Sequence, residues 1–313
     1  MKIDAAQCAA RLAANDRFLL LCHRDPDGDT YGCAAALAAA LADAGKRVRI
    51  ECPDEIPENL SFLLRPYGDF EPDYVVALDI ASPNMLGDGA LQARRVDLCI
   101  DHHPTNPDYA AETFLVDYAA TGEAVFEILR RMGAPITPFI ATALFTALSS
   151  DTGGFRFANT TAQTHRYAAD LMELGADVEQ VRIRLFESHS RGRVKLESDA
   201  MANMRYYRGG EIAVISISLA AFAETGIHES EIEGLAAEPL KIDGVHIGIT
   251  LKERDNGSIR ISMRSDSDRY NVAEICARFS GGGHVRAAGC RIWDTLENAE
   301  KQLISACEQA LDR

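Results

Sequence analysis

Three short runs of the sequence are almost continuously apolar, and they limit how the first half of the chain can fold. They are Phe18–Cys22 (FLLLC), Tyr74–Ile80 (YVVALDI) and Val96–Ile100 (VDLCI). Strands of this composition are buried on both faces and belong to mostly parallel sheets covered by helices. After the first run, Thr30–Ala44 is rich in Ala and Leu and ends at a glycine, which is typical of a capped helix. We therefore predict an α/β domain with a mostly parallel sheet covered by helices.

The pattern changes near residue 190. The run SHSRGRVK, which starts at Ser188, is polar and basic and has no apolar period. Beyond it, two strand-like runs flank Asp255-Asn256-Gly257, a strong signal for a hairpin turn. We predict a first domain over 1–190, a linker over 191–204 and a smaller α/β domain with a mixed sheet over 205–313. The active site is expected in the cleft between the two domains.

The charge of the chain limits its partners. The 313 residues carry a formal net charge of −15, which argues against a protein that binds long duplex nucleic acid by neutralising its phosphates. The charge is uneven, because residues 1–190 hold 16 basic and 28 acidic groups, whereas Lys252–Arg291 has a net charge of +3. A small anionic substrate therefore remains compatible with the sequence.

The apolar segments and the cysteines of the sequence bear on where the protein is located. The longest notable apolar stretch, Cys33–Ala42, is far shorter than the roughly 20 residues that a membrane helix needs. The N-terminal sequence carries charges throughout and has no apolar core of a secretory signal. The eight cysteines form no CxxC pair, so we expect small core residues in a reducing environment. The prediction is a cytoplasmic enzyme without a membrane segment.

Residues that can bind metal follow the predicted strands where those strands end. His23 and the acidic segment 25–29 follow the first strand, Asp79 lies near the end of the second, and Asp101-His102-His103 follows the third. Asp151 comes after a predicted helix. Because ligands of open parallel sheets bind outside the carboxyl ends of the strands, we expect these groups in one crevice. Each segment alone is also typical of a turn or of a hydrogen-bonded pair.

The chemistry of these residues favours divalent metal. Several converging carboxylates need a counter-charge, because neighbouring like charges disfavour ionisation. Carboxylate and imidazole ligands without thiolate suit Mn²⁺, Mg²⁺ or a related ion better than a structural Zn²⁺. We expect Mn²⁺, with Mg²⁺ or Co²⁺ as the alternatives. The number of candidate ligands exceeds what one ion needs, so we predict two ions. Such a pair promotes attack on phosphorus by acidifying water and stabilising phosphoryl oxygens.

A glycine-rich segment, SGGGHVRAAG, is the last candidate site. Gly281, Gly282 and Gly283 are predicted to form a loop whose backbone N–H groups can approach a phosphate closely. His284 follows them directly, and Arg264 ends a neighbouring predicted strand. A flexible loop without function is the alternative. The position of the segment within the basic stretch favours phosphate binding.

Together these motifs resemble the DHH phosphoesterase family with its DHH-associated C-terminal domain. The resemblance rests on HxxPDGD, Asp79 after a strand, the DHH triplet, Asp151 and GGGHxxAAG, in that order over nearly the whole chain. The compact length is similar to the nanoRNase/pAp-phosphatase branch of bacteria. Longer single-strand DNA exonucleases carry added binding domains, and the cyclic-di-AMP phosphodiesterases carry transmembrane and sensory segments.

The resemblance also assigns roles that the residues alone leave open. In an extended segment Asp25, Asp27 and Asp29 point the same way, so the sequence alone does not choose among them. The family pattern leaves Asp25 at a variable position. It implies that one ion is held by His23 and Asp27, the other by Asp29, His102 and Asp151, with Asp79 bridging them.

By the same resemblance, His103 faces the substrate phosphate as a polariser or acid, and Asp101 orients the histidine pair. Arg264, His284 and the three glycines, Gly281, Gly282 and Gly283, are expected to bind the nucleotide end of the substrate. No departure from the family pattern occurs at these positions, which disfavours an inactive relative.

The predicted function is a metal-dependent phosphohydrolase. It would release mononucleotides from short single-stranded RNA, with DNA as an alternative, and would dephosphorylate 3′-phosphoadenosine 5′-phosphate and similar mononucleotide bisphosphates. A homodimer is a candidate assembly. The alternatives are an inorganic pyrophosphatase, a phosphodiesterase of cyclic or linear dinucleotides, and a nucleotide-binding regulator that does not cleave.

Overall fold

The apolar runs of the first half form a parallel sheet, as the sequence predicts. The structure, a computed structural model, describes residues 1–87, 95–227 and 229–311. Among these residues the first sheet has the strands β1 (Phe18–Leu21), β2 (Val48–Glu51), β3 (Tyr74–Leu78), β4 (Leu98–Asp101) and β5 (Glu112–Leu115). Their order is β2-β1-β3-β4-β5, and every neighbouring pair is parallel.

Helices cover this sheet. They are α1 (Ala5–Ala14), α2 (Gly28–Asp43), α3 (Thr121–Met132), α4 (Pro138–Asp151), α5 (Ala162–Glu173) and α6 (Val178–Arg182). Short 3₁₀ turns lie at Glu58–Leu63 and Pro83–Leu86, and a π-helical turn follows α6 at Ile183–Glu187. Side chains from one sheet face and from these helices form a large apolar core, and the other face packs on a smaller one.

The helices α2 and α4 approach each other closely, and this contact positions the candidate site. A Cβ atom at Gly28 would lie 2.7 Å from the Cβ of Ser150, and one at Gly32 would lie 2.5 Å from the carbonyl oxygen of Ala143. Glycine at both positions therefore allows the two backbones to pack together. As a result, the first turn of α2 lies beside the last turn of α4.

The second half contains a mixed sheet, again as predicted. Its strands are β6 (Arg205–Tyr207), β7 (Ile212–Ile217), β8 (Ile247–Glu253), β9 (Ile259–Ser265), β10 (Gly282–His284) and β11 (Ala287–Ile292). The order is β10-β11-β9-β8-β7-β6, in which β7 and β8 are parallel and the other described pairs are antiparallel. The helices are α7 (Arg191–Ala202), α8 (Leu219–Thr225), α9 (Val272–Ala277) and α10 (Leu296–Leu311), with 3₁₀ turns at Arg208–Gly210 and Glu229–Lys241.

The contacts divide the chain into two compact units, Met1–Ser188 and His189–Arg313. Residues 191–204, predicted as a linker, are not extended, since most of them form α7. Ser190 caps this helix through a hydrogen bond from the backbone N–H of Arg193. Leu196 and Ala200 of α7 are buried in an apolar cluster of the second unit. The polar sequence SHSRGRVK gave no apolar period because α7 buries few side chains.

Two further features bear on the sequence predictions. Seven of the eight cysteines are buried, Cys52 is partly buried, and all eight are free thiols. Within the described ranges, none of the helices has the length and apolar character required to cross a bilayer.

Candidate metal centre

The carboxyl ends of three adjacent strands carry the first candidate ligands. The order β1-β3-β4 in the sheet brings together the residues that follow these strands. His23 comes two residues after β1, Asp79 directly after β3, and His102 directly after β4. The backbone N–H of Asp79 also bonds to the carbonyl of Ile100 in β4 at 3.0 Å. The parallel topology thus delivers a carboxylate and two imidazoles to one edge of the sheet.

One group of ligand atoms contains His23, Asp27 and Asp79. The Nε2 of His23 lies 3.6 Å from Asp27 Oδ1 and 3.6 Å from Asp79 Oδ2. Its Nδ1 lies 2.7 Å from the carbonyl oxygen of Arg24, which fixes the proton on Nδ1 and leaves Nε2 as a ligand atom. Asp27 is held as the N-cap of α2, where it accepts hydrogen bonds from the N–H groups of Asp29 and Thr30.

A second group contains Asp29, His102 and Asp151. The Nε2 of His102 lies 3.1 Å from Asp151 Oδ2 and 4.0 Å from Asp29 Oδ2. The Asp29 carboxylate also accepts hydrogen bonds from the N–H groups of Thr121 and Gly122 at 2.7 and 2.9 Å. Since α3 begins at Thr121, Asp29 serves this helix as a cap supplied by another element.

Asp79 lies between these two groups. Its Oδ2 faces His23, whereas its Oδ1 lies 3.5 Å from His102 Nε2 and accepts a hydrogen bond of 2.8 Å from Thr121 Oγ1. Asp79 is 2% exposed and has a φ of +60°, a left-handed conformation that is uncommon for residues other than glycine. Backbone strain of this kind occurs preferentially at functional sites. The strained turn directs both oxygens of one carboxylate into the cluster.

The two neighbouring histidines are oriented by different partners. Asp101 Oδ1 accepts a hydrogen bond of 2.8 Å from His103 Nδ1, and Asn106 Nδ2 bonds to Asp101 Oδ2 at 2.7 Å. Asp101 therefore orients the His103 ring, whose other nitrogen remains available and whose side chain is 36% exposed. The His102 ring is instead oriented by the carbonyl of Tyr118, at 3.0 Å from Nδ1. Asp101 was expected to orient both rings, but its carboxylate bonds to the ring of His103 alone, and from His102 it accepts only the backbone N–H.

The electrostatics of the cluster favour added positive charge. Burial, together with Asp79 and Asp151, raises the pKa of Asp29 well above its usual range. Burial also raises the pKa of Asp151 to about 6. Burial alone would lower the pKa of His102, but Asp151 and the other carboxylates outweigh it and raise the pKa to about 10. In all three cases the protonated form is favoured, because the carboxylates lack a counter-charge.

The donor set fits divalent metal. The ligand atoms of each group lie within 4.8 Å of one another, and they are imidazole nitrogens and carboxylate oxygens. His102 Nε2 is buried without a hydrogen bond of acceptable geometry, although its ring is fixed through Nδ1. A buried polar atom of this kind needs a partner. A cation at this position would satisfy it and would offset the neighbouring carboxylates.

The glycine run of the second unit is not a loop. Gly282 and Gly283 belong to β10, which pairs in antiparallel register with β11. A Cβ atom at Gly281 would lie 2.4 Å from the Cβ of Cys290, and Gly283 has a φ of +142°. These two glycines are therefore required by packing and backbone conformation, whereas Gly282 has no atom within 4 Å of such a Cβ position. The loop prediction failed because close backbone packing and phosphate binding both select glycine.

Arg264 and His284 lie on the same face of the second sheet. Ala287 is in register with His284 of β10 on one side and with Arg264 of β9 on the other. Paired residues of antiparallel strands direct their side chains to the same face, at a strand spacing of about 4.8 Å. Met263 and Ala288 are buried on the opposite face. The small Ala287 side chain thus lies between an arginine and an exposed histidine.

Several residues that support the candidate centre were not expected from the sequence. Thr121 and Gly122 bind the carboxylates of Asp79 and Asp29, and Asn106 holds Asp101. They are not metal ligands by type, so only their contacts identify them. Asp25, by contrast, lies outside both ligand groups, and its backbone N–H bonds to Asp54.

Comparison with known proteins identifies the family. The sequence matches the N-terminal domain of the DHH family over residues 17–148 and the DHHA1 domain over residues 211–313. It is 30% identical over 301 residues to the bifunctional oligoribonuclease and PAP phosphatase NrnA of Thermus thermophilus, covering 93% of this chain and 89% of that protein. The chain belongs to the DHH family.

Solved structures agree with the fold of this DHH-family chain. An exopolyphosphatase-related protein from Bacteroides fragilis superposes with a TM-score of 0.87 at 24% identity, covering 98% of this chain and 96% of the other. RecJ from Thermus thermophilus in complex with Mn²⁺ superposes with a TM-score of 0.54 at 15% identity, covering 99% of this chain and 55% of RecJ. The motifs that suggested the resemblance thus lie on the fold that they imply.

Proposed function

We propose that this chain is a divalent-metal-dependent phosphohydrolase that releases mononucleotides from short oligoribonucleotides and dephosphorylates 3′-phosphoadenosine 5′-phosphate. The observation that carries the proposal is the cluster of imidazoles and carboxylates around Asp79, in which the buried Nε2 of His102 faces carboxylates but makes no hydrogen bond of acceptable geometry. The named activities of the Thermus relative, an oligoribonuclease and PAP phosphatase, support the choice of substrates.

Two ions, with Mn²⁺ preferred, match the grouping of the ligand atoms. His23 and Asp27 would hold one ion, and Asp29, His102 and Asp151 the other, with one oxygen of Asp79 available to each. Four carboxylates then meet four positive charges. Bound ions supply Lewis acidity to the phosphoryl group and lower the pKa of water. The protein contributes a rigid frame, because the side chain of each of these ligands except Asp151 is also held by a hydrogen bond to a backbone or hydroxyl group.

His103 is suited to act as the acid. Its hydrogen bond to Asp101 raises the pKa of the ring and fixes one proton on Nδ1, which leaves the exposed Nε2 to interact with substrate. A protonated Nε2 would polarise a phosphoryl oxygen or give its proton to the leaving oxygen as the P–O bond breaks. Asp101, itself held by Asn106, keeps the ring in the orientation that this role requires.

The second unit would bind the far end of the nucleotide. Arg264 and His284 flank Ala287 on one sheet face, and this spacing leaves room for a phosphate between two donors. Because β10 is the edge strand, one row of its backbone groups lies outside the sheet pairing and can donate to an anion. Gly282 has open space where a Cβ atom would lie, which permits close approach of a ligand.

The test is a panel of substrates offered to the purified protein with Mn²⁺. It contains RNA and DNA of 2 to about 24 nucleotides, 3′-phosphoadenosine 5′-phosphate, linear and cyclic dinucleotides, and pyrophosphate. The proposal expects the fastest turnover on 2- to 5-nucleotide RNA, with complete loss on chelation. Preference for pyrophosphate, or tight nucleotide binding without product, would replace it with a pyrophosphatase or a regulator. The cytoplasmic location and the homodimer stay predictions, which fractionation and light scattering would check.

A further inference from the structure

The loop that follows Asp151 has an unusual backbone. Three successive residues, Gly153, Gly154 and Phe155, have φ angles of +58°, +69° and +65°. Glycine adopts this left-handed conformation readily, whereas a phenylalanine is strained in it. A strained residue persists only where its surroundings hold it in place. The loop therefore has one specified shape immediately beside the candidate metal centre.

Packing and hydrogen bonds hold this shape. The Phe155 ring lies against His165 at 5.5 Å, nearly parallel, and against Phe145 at 5.7 Å. The Oγ1 of Thr152 accepts the N–H of Phe155 at 3.0 Å. Asn159, near the end of the loop, donates to the carbonyl of Asp151 at 3.1 Å and to that of Ala119, just before α3, at 3.0 Å. The loop is thus fastened to two segments that supply the cluster.

This rigid loop presents an aromatic ring and a cation to solvent. Phe157 is 54% exposed, although one side of its ring packs so closely on Gly153 that a Cβ atom there would lie 2.4 Å from Phe157 Cζ. Arg156 is also exposed, and its Nε donates to the carbonyl of Gly153 at 2.6 Å. Among the described residues Arg156 forms no ion pair with a carboxylate, even though the first unit is strongly acidic. The Arg156 guanidinium also lies 5.7 Å from the centre of the Phe186 ring, and neither Arg156 nor Phe157 is buried in the core.

We propose that Phe157 stacks on a nucleobase of the substrate and that Arg156 binds one of its phosphates. This proposal rests on the proposed function and names the part of the first unit that recognises the nucleotide. Aromatic rings beside cationic side chains are the usual means of binding single-stranded nucleic acid without strong sequence preference, since every base has a π face. Gly153 supports the inner face of the ring, so that the opposite face remains available for stacking.

The position of the loop favours a nucleotide over another occupant. Gly153 is two residues from Asp151, so the ring that covers it lies within a few residues of a candidate metal ligand. A phosphate bound at the metal centre carries its sugar and base with it. An exposed ring and a cation on the adjoining loop match these two parts of the ligand, whereas a protein partner would not need the cation next to a metal cluster.

The experiment compares Phe157→Ala, Phe157→Trp and Arg156→Gln with wild type. Leu64→Ala is the matched control, because Leu64 is 53% exposed in the same unit and outside this loop. The substrates are the dinucleotide pApA and two analogues in which one or the other base is replaced by hydrogen. Binding is measured separately by the fluorescence of a 2-aminopurine dinucleotide whose bridging oxygen is a methylene group, which prevents cleavage. Melting curves verify folding.

Phe157→Ala is expected to raise KM for pApA about tenfold, the loss of one base stack, with little change in kcat. Phe157→Trp should restore the KM for pApA. On one of the two abasic analogues, Phe157→Ala and wild type should have the same KM, because that analogue lacks the stacked base. Arg156→Gln should weaken the binding of all three substrates and reduce the salt dependence of that binding. Leu64→Ala should match wild type.

Two results would overturn the inference. One is a KM for Phe157→Ala within twofold of wild type on pApA, and the other is an equal loss on pApA and on both abasic analogues. If wild type does not cleave pApA at all, the proposed function fails, but the 2-aminopurine measurement still tests Phe157 and Arg156. Failure of the inference and failure of the function are therefore separate outcomes.

Discussion

The candidate metal centre of the first unit and the Arg264–His284 face of the second unit are built in opposite ways. In the metal centre, Asp29 and Asp79 are 0% and 2% exposed, and both are bound by groups at the start of α3. On the sheet face, His284 is exposed and Arg264 is only partly buried. A buried, multiply bonded ligand holds its position before substrate arrives, which is what chemistry requires. An exposed face can contribute binding energy without such constraint.

The difference has a consequence for mutations. Residues of the metal centre combine stability with activity, so their replacement should affect both unless the residue has few structural contacts. Residues of the sheet face should affect affinity alone. Substitutions in the two regions, taken in order of expected effect, test this separation.

The largest expected effect is a loss of activity in the metal centre, where Asp151 and Asp29 should differ in their contribution to stability. Asp151→Asn and Asp29→Asn should each lower kcat/KM more than about 1,000-fold, since each removes a charged ligand. Asp29→Asn should also lower stability by about 2–3 kcal/mol, because its amide would face the donating N–H groups of Thr121 and Gly122. Asp151→Asn should leave the melting temperature of the metal-free protein unchanged or higher. Equal stability of the two variants would contradict a structural role for Asp29.

The neighbours Asp29 and Asp151 also mark the limit of sequence interpretation. The residues that carry donor atoms could be predicted, because strand ends are recognisable from apolar runs and their order follows from the parallel topology. The fold class was confirmed on the same basis, and the apolar runs Phe18–Cys22 and Tyr74–Ile80 form the strands β1 and β3 to within two residues. That Asp29 also caps α3 could not be predicted, because the two segments are more than 90 residues apart in the sequence.

Short edge strands were the other omission. The strand β5 has four residues and β10 has three, and neither is long enough to show an alternating pattern. In β10 two of the three residues are glycine and all three are exposed, so no apolar side chain indicates a strand. Local composition therefore predicted a loop where pairing with β11 decides the structure.

A smaller effect is expected for the residues that orient His103. Asp101→Asn should lower kcat about 10- to 100-fold, since the ring loses its anionic partner and its fixed tautomer. Asn106→Ala should act in the same direction but less strongly, because the Asp101–His103 bond remains. Measurement of kcat and of Mn²⁺ affinity separates the two roles. A loss of metal affinity with unchanged kcat at saturating metal would assign His103 to the metal rather than to the substrate.

On the sheet face the effect should fall on KM. Arg264→Gln is expected to raise KM for 3′-phosphoadenosine 5′-phosphate about tenfold, the loss of one charge-assisted hydrogen bond, with kcat nearly unchanged. Steady-state kinetics at fixed ionic strength, with Arg260→Gln as a control from the same strand and face, measure this effect. A loss of kcat equal to that of a metal-ligand variant would show that the sheet face contributes to catalysis as well as to binding.

The smallest effect on activity is expected among the glycines of the second sheet, where two adjacent positions should respond differently to substitution. Gly281→Ala would place a methyl group 2.4 Å from the Cβ of Cys290, and this overlap should cost about 1–3 kcal/mol and lower the melting temperature by on the order of 5 °C. Gly282→Ala has open space and should melt within about 1–2 °C of wild type. If Gly282→Ala nevertheless raises KM, Gly282 is glycine because substrate approaches it, whereas Gly281 is glycine because the sheet packs against it. Unchanged KM in Gly282→Ala would leave packing as the reason for the glycine run and would restrict phosphate binding to Arg264 and His284.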